Sequence, residues 1–158
     1  MILGFAHPAI VVDDLEKAEQ FYANMFGFVT MNDESWARNA EIDISIGSKD
    51  SVCRGVMMAG HNCYLELFVF EQPEESNTHP SNLGSHDLGI RHLSFYVDSV
   101  EDECERFLSL GGSSLGTPHN GIVYLRDPFG NIIELCEFPS PEENLLFLPG
   151  ISSLGTHN

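Results

Sequence analysis

Cations are scarce in this chain of 158 residues: Lys and Arg number 7 against 24 Asp and Glu, a formal charge of −17 with neutral His. A nucleic-acid binder needs cationic side chains to displace counterions from phosphates, so that class is excluded as a partner. An anionic membrane surface is excluded on the same ground. No apolar run approaches the ~20 residues of a membrane span. The first residues, Met1 to His7, carry no basic segment ahead of an apolar stretch, so the expected location is the cytoplasm. The four cysteines, Cys53, Cys63, Cys104 and Cys136, include no CxxC pair. Reduced, mostly buried thiols are expected. No glycine-rich phosphate loop or nucleophile elbow is present.

What the chain does have is aromatic and apolar content: 42% hydrophobic residues with 11 Phe, 4 Tyr and 1 Trp. That is enough to bury a core, and it argues against disorder despite the acidity. The length suits one domain.

The chain also repeats itself at an offset of 85. Leu3/Leu88, Gly4/Gly89, His7/His92, Val12/Val97, Asp13/Asp98, Glu16/Glu101 and Gly27/Gly112 are identical pairs. Chance would give roughly one or two identities over such a stretch. Each copy reads as a strand, 5–12 and 90–97, followed by a helix. Asp13 or Asp14, and Asp98 or Ser99, are the expected N-caps. Asp13-x-x-Glu16 and Asp98-x-x-Glu101 have the form of capping boxes. Leu15, Ala18, Phe21, Tyr22 and Met25, and then Val100, Cys104, Phe107 and Leu108, fall at helical spacing. Gly27 and Gly111-Gly112 are the stops.

Further strands are expected near 28–33, 53–59, 62–70, 121–126 and 131–137. Asp127-Pro128-Phe129-Gly130-Asn131 reads as a turn between the last two. The copies end alike, Tyr64-Leu65-Glu66-Leu67 matching Ile132-Ile133-Glu134-Leu135. His7 lies 59 positions before Glu66 and His92 lies 42 before Glu134. The excess falls at Glu34–Ser51, an insertion in which Ile42, Ile44 and Ile46 alternate like a strand while the polar interleaving allows a short helix. The expected organisation is a single domain over 1–138: one half at 3–71, a linker at 72–87, a second half at 88–138, then an extended tail at 139–158.

Two His and two Glu thus sit at equivalent places of a duplicated unit. A single His at a strand start is ordinarily exposed or satisfied, and a Glu inside Leu-Glu-Leu ordinarily faces solvent. Matched recurrence of both types is far harder to obtain by accident. Two imidazoles and two carboxylates suit a divalent transition metal, and two Glu⁻ neutralise one M²⁺. His61, His79, His86, His119 and His157 have no comparable pattern.

The segments Phe5-Ala6-His7-Pro8-Ala9-Ile10-Val11-Val12-Asp13-Asp14-Leu15-Glu16-Lys17-Ala18-x-x-Phe21-Tyr22, Ile90-Arg91-His92-Leu93-Ser94-Phe95-x-Val97-Asp98 and Tyr124-Leu125-Arg126-Asp127-Pro128-x-Gly130-Asn131-x-Ile133-Glu134 resemble the vicinal-oxygen-chelate superfamily. That superfamily includes glyoxalase I, methylmalonyl-CoA epimerase, fosfomycin- and bleomycin-resistance proteins and extradiol dioxygenases. The resemblance implies an α+β fold of two βαβββ modules whose curved mixed sheet forms a cup around a metal. By position it implies His7, Glu66, His92 and Glu134 as ligands of one divalent ion (Ni, Co, Zn, Mn or Fe), with no organic cofactor. A His/Glu/His/Glu set is similar to bacterial-type glyoxalase I.

The implied reaction is lyase or isomerase chemistry, proton transfer next to a carbonyl through a metal-chelated enediolate. Glu134 is the expected base and Glu66 the second candidate. The implied partners are a small-molecule substrate with vicinal oxygens and a second copy of the chain in a homodimer. A non-haem Fe(II) dioxygenase and a non-catalytic binding module are the alternatives. The seven cations, Lys17, Arg38, Lys49, Arg54, Arg91, Arg106 and Arg126, are few for a polyanionic glutathione or CoA adduct.

Overall fold

The computed structural model describes residues 1, 4–73 and 79–138. The expected tail, 139–158, and part of the expected linker lie outside them. The chain divides into two compact units, Met1–Leu83 and from Gly84 onward.

The first unit runs β1 (Ala9–Val11), α1 (Leu15–Phe26), β2 (Val29–Asp33), α2 (Ala40–Ile46), β3 (Val52–Ala59) and β4 (Tyr64–Gln72), ending in a 3₁₀ turn at Pro80–Asn82. Its sheet has the order β1-β4-β3-β2, with β1 parallel to β4 and the other pairs antiparallel. The second unit runs β5 (His92–Val97), α3 (Val100–Ser109), β6 (Ser113–Ser114), β7 (Ile122–Arg126) and β8 (Ile132–Glu137), in the order β5-β8-β7-β6. Each unit is therefore one βαβββ module with a mixed four-stranded sheet, and the fold class is α+β as expected. No helix among the described residues is long and apolar enough to cross a membrane.

The sequence explains each helix locally. Asp14 accepts the Lys17 amide at 3.0 Å and Ser99 accepts the Asp102 amide at 3.2 Å. The caps are thus the second candidate of each pair. Asp13 and Asp98 stand one position outside the helix, so the capping boxes built on them do not form. On α1, Leu15, Ala18, Phe21, Tyr22, Met25 and Phe26 are buried. On α3, Val100, Cys104 and Phe107 are. Leu65, Leu67 and Met58 in the first sheet, and Val123, Leu125, Ile133 and Leu135 in the second, form the other half of each core. Burying one such side chain contributes about 1.5–3 kcal/mol. Because side chains alternate along a strand, the face opposite each helix is then fixed, and that face carries Glu66 in the first unit and Glu134 in the second.

The repeated glycines do different jobs. Gly27 ends α1 at φ 69°, the left-handed conformation that favours glycine. Its counterpart Gly112 has no such angle; a Cβ there would lie 2.1 Å from the Phe107 ring. We expect Gly112→Ala to destabilise the protein by about 1–3 kcal/mol through overpacking, measured by urea unfolding.

Two expectations need correction. The first strand is not 5–12 but Ala9–Val11, and its counterpart starts at His92 rather than residue 90. His7 lies just ahead of its strand, and Pro8, which has no amide to give the ladder, contributes only its carbonyl, to Glu66 N at 3.1 Å. The insertion holds a helix, α2, so the alternation of Ile42, Ile44 and Ile46 does not mark a strand. Asn39 caps it, accepting from Glu41 N and Ile42 N at 2.9 and 3.3 Å, and Gly47 stops it at φ 68°. A capped start and a left-handed stop with seven residues between them outweigh alternation with no buried face to match: Ile44 is 82% exposed.

Asp43 ties α2 back to the sheet. Its carboxylate accepts from Asp50 N at 2.8 Å, Ser51 N at 3.0 Å and the Ser51 hydroxyl. The Ser51 hydroxyl is the main reason its carboxyl is held below the usual Asp range; burial opposes it, and the Ser51 and Asp50 amides lower it further. A lowered folded pKa means that this stabilisation is complete above the unfolded Asp value, about 3.9, and is lost as pH falls through the lower folded value. The only Trp of the chain, Trp36, donates Nε1–H to the same Ser51 hydroxyl at 2.8 Å. Its fluorescence should therefore report acid loosening of the segment. Asp43→Asn should remove that pH dependence while leaving the Trp36 signal less native-like already at neutral pH.

All four cysteines are free thiols. Burial pushes Cys53 up to about 11 and raises the other three, so none has the thiolate character that reactivity requires.

Candidate functional site

In the first unit β4 lies between β1 and β3, with Glu66 opposite Ala9 on one side and Met57 on the other. The His7 ring reaches it: Nε2 stands 3.0 Å from Glu66 Oε2, with the His side chain 33% and the Glu side chain 17% exposed. In the second unit β8 lies between β5 and β7, with Glu134 opposite Ser94 and Tyr124. His92 Nε2 stands 3.5 Å from Glu134 Oε2, at 36% and 17% exposure. Ala9 and Ser94 are separated by the same offset of 85 that relates the two histidines. The duplication therefore extends to the hydrogen-bond register, and each glutamate meets the histidine of its own copy.

The surroundings differ. Tyr124, across from Glu134, packs its ring 5.1 Å from that of His92. Burial, and secondarily the Glu134 charge, push its hydroxyl above the ordinary tyrosine range. Its counterpart beside Glu66 is Met57, which offers no hydroxyl. Tyr124 escaped the sequence reading, although alternation from Glu134 through the hairpin was a usable signal.

The structure brings the four predicted ligands together two by two. Among the described residues, no group of three or more His, Cys, Asp or Glu that could hold a metal ion is found. Each pair nonetheless fits half of a coordination sphere. Two donors on one ion at about 2.1 Å, subtending roughly 90–109°, stand about 3.0–3.4 Å apart, close to the separations seen. Imidazole nitrogen with carboxylate oxygen is a donor set for first-row transition metals.

Among the described residues, the other histidines lie away from these pairs. His61 is exposed in the turn between β3 and β4, His79 caps the 3₁₀ turn, and His119 forms a backbone bridge to Ile122. Of the cations, Arg54 points away from Glu66 and pairs with Glu16 at 2.6 Å and Glu71 at 3.6 Å. Arg126 shares a face with Glu134 but donates to the Gly130 carbonyl at 2.6 Å.

Residues 4–135 match the Glyoxalase/Bleomycin resistance protein/Dioxygenase superfamily. The chain belongs to this superfamily. Among solved structures, a glyoxalase family protein from Bacillus cereus is similar with a TM-score of 0.77 at 19% identity, covering 87% of this chain and 95% of that one. A mutant of the fosfomycin resistance protein FosX from Listeria monocytogenes, complexed with Mn(II) and 1S,2S-dihydroxypropylphosphonic acid, gives 0.59 at 19% identity, covering 92% of this chain and all of that one. These likenesses are of fold. In sequence, the uncharacterized protein YwkD of Bacillus subtilis (strain 168) is 26% identical over 101 residues, 64% of this chain and 66% of that protein, just under two thirds of its length.

Proposed function

We propose that this superfamily member is a divalent-metal-dependent lyase or isomerase of the glyoxalase-like type, moving a proton next to a carbonyl of a small molecule with vicinal oxygens. The observation that supports it best is the matched register: two His–Glu pairs, one per module, each on the sheet face that the helix leaves free. His7, Glu66, His92 and Glu134 would hold one ion, which supplies Lewis-acid polarisation of the substrate oxygens when bound. The two carboxylates balance its charge.

Glu134 is the better candidate for the proton-moving group. Its contact with histidine is the longer, 3.5 against 3.0 Å, so its carboxylate is held less tightly. Tyr124 lies across from it as a hydroxyl-bearing neighbour. Glu66 is the second candidate, tied more closely to His7. Both glutamate side chains are only 17% exposed, which limits the access of bulk water to the reacting carbon. The working assembly proposed is a homodimer in the cytoplasm.

The test is a screen of 2-oxo and 2-hydroxy acyl compounds in D₂O with Ni²⁺, Co²⁺, Zn²⁺ or Mn²⁺, read by NMR. Metal-dependent deuterium incorporation at a carbon next to a carbonyl is expected. Catechol-dependent O₂ uptake with Fe²⁺ and no exchange would replace this reading with a dioxygenase. Ligand binding indifferent to chelators would replace it with a non-catalytic module.

A further inference from the structure

The insertion of the first unit, together with β4, places an aromatic cluster on the same sheet face as Glu66. Past β2 the chain stays on β3: Glu34 N donates to Gly55 O at 2.9 Å, and Trp36 and Cys53 exchange two backbone hydrogen bonds of 2.9 Å. Opposite them on β4, Cys53 faces Phe70, Gly55 faces Phe68 and Met57 faces Glu66. Strand alternation puts Glu66, Phe68 and Phe70 on one face, successive members about 7 Å apart.

The three rings pack together. Centroids lie 5.6 Å apart for Trp36–Phe68, 5.7 Å for Trp36–Phe70 and 6.3 Å for Phe68–Phe70, the first two edge to face. A Cβ on Gly55 would fall 2.3 Å from the Phe68 ring, so the glycine makes room for it. Trp36 is held by its hydrogen bond to the fully buried Ser51. All three rings remain partly exposed.

Arg54 faces the other side of the sheet, paired to Glu16. Arg38 lies past Trp36 and donates to the neutral Gln72 amide at 3.1 Å, so its charge stands at the end of the row away from Glu66. An uncharged aromatic group placed beside Phe68 and Trp36 would find ring edges and faces to pack against.

We propose that Trp36, Phe68 and Phe70 form a specificity wall that receives an aryl or branched-alkyl substituent of the substrate, whose oxygens lie at Glu66. The substrate class is thus a 2-oxo or 2-hydroxy acyl compound with an apolar side group. This rests on the reading of Glu66 as a metal ligand, and it deepens that reading by assigning what the substrate carries beyond its oxygens.

The test uses Trp36 as the reporter, since the chain has no other Trp. Mandelate and lactate share the 2-hydroxy acid and differ in phenyl against methyl. The Mn²⁺-loaded protein is titrated with mandelate by tryptophan fluorescence, and lactate is scored by displacement. Mandelate should bind at least about tenfold more tightly, about 1.4 kcal/mol. Phe68→Ala should bring the ratio near one by weakening mandelate alone. Phe68→Leu, which keeps an apolar side chain in the sheet, should leave an intermediate ratio.

Equal affinities, no mandelate binding, or a ratio unchanged in both variants would overturn the wall. Repeating the titrations with EDTA separates the two readings. A phenyl preference of the same size and affinity without metal would leave the wall standing and remove the metal from substrate binding. Metal-dependent binding without phenyl preference would do the reverse.

Discussion

Glu134→Gln should lower the rate of deuterium exchange into substrate by about 10²–10⁴-fold, the usual contribution of a positioned general base. The amide keeps the size of the side chain and one oxygen near His92, so metal content should fall far less than turnover. That split separates a proton-moving role from a purely ligating one, for which activity and metal would decline together. Glu66→Gln supplies the internal comparison. Its shorter contact to His7, 3.0 Å, gives it the more ligand-like position, so metal loss should account for most of its effect. Full exchange activity in Glu134→Gln with normal metal content would move the base elsewhere, first to Glu66.

Phe107→Ala should cost about 3–5 kcal/mol, the range for truncating a buried aromatic in a core that cannot collapse around the gap. Phe107 is fully buried on α3, and the close approach of Gly112 to its ring shows how closely the neighbouring chain is fitted to it. The consequence reaches the candidate site, because α3 packs on β7 and β8, the strands that carry Tyr124 and Glu134. Urea unfolding should show a lower midpoint with a similar slope. A loss below about 1 kcal/mol, within the range of ordinary surface substitutions, would mean that α3 is not what holds these strands.

The sequence made the duplication, the helices and the four polar residues legible because each rests on local chemistry. Asp14 and Ser99 cap, Gly27 stops, apolar residues recur at helical spacing, and the repeat aligns His7 with His92. The register was not legible: Ala9 opposite Glu66 and Ser94 opposite Glu134 are long-range pairings that no local signal reports. The insertion stayed open because alternation and helix capping competed within it, and the structure resolves that in favour of Asn39 and Gly47. Trp36 sits in the same segment with no local signal of its partners. Its contact with Phe68 and Phe70 comes from a strand extension beyond β2, which depends on β3 as a partner.

The most direct measurement is the metal stoichiometry of purified protein and of His7→Ala and His92→Ala, by elemental analysis after equilibration with Mn²⁺ or Zn²⁺ and removal of free ion. One ion per chain is predicted for the unaltered protein, with binding strongly weakened by either substitution although the two histidines lie in different modules. Full metal content in either variant, two independent ions per chain, or none in the unaltered protein would contradict a single four-ligand centre and leave His7–Glu66 and His92–Glu134 as two separate ion pairs.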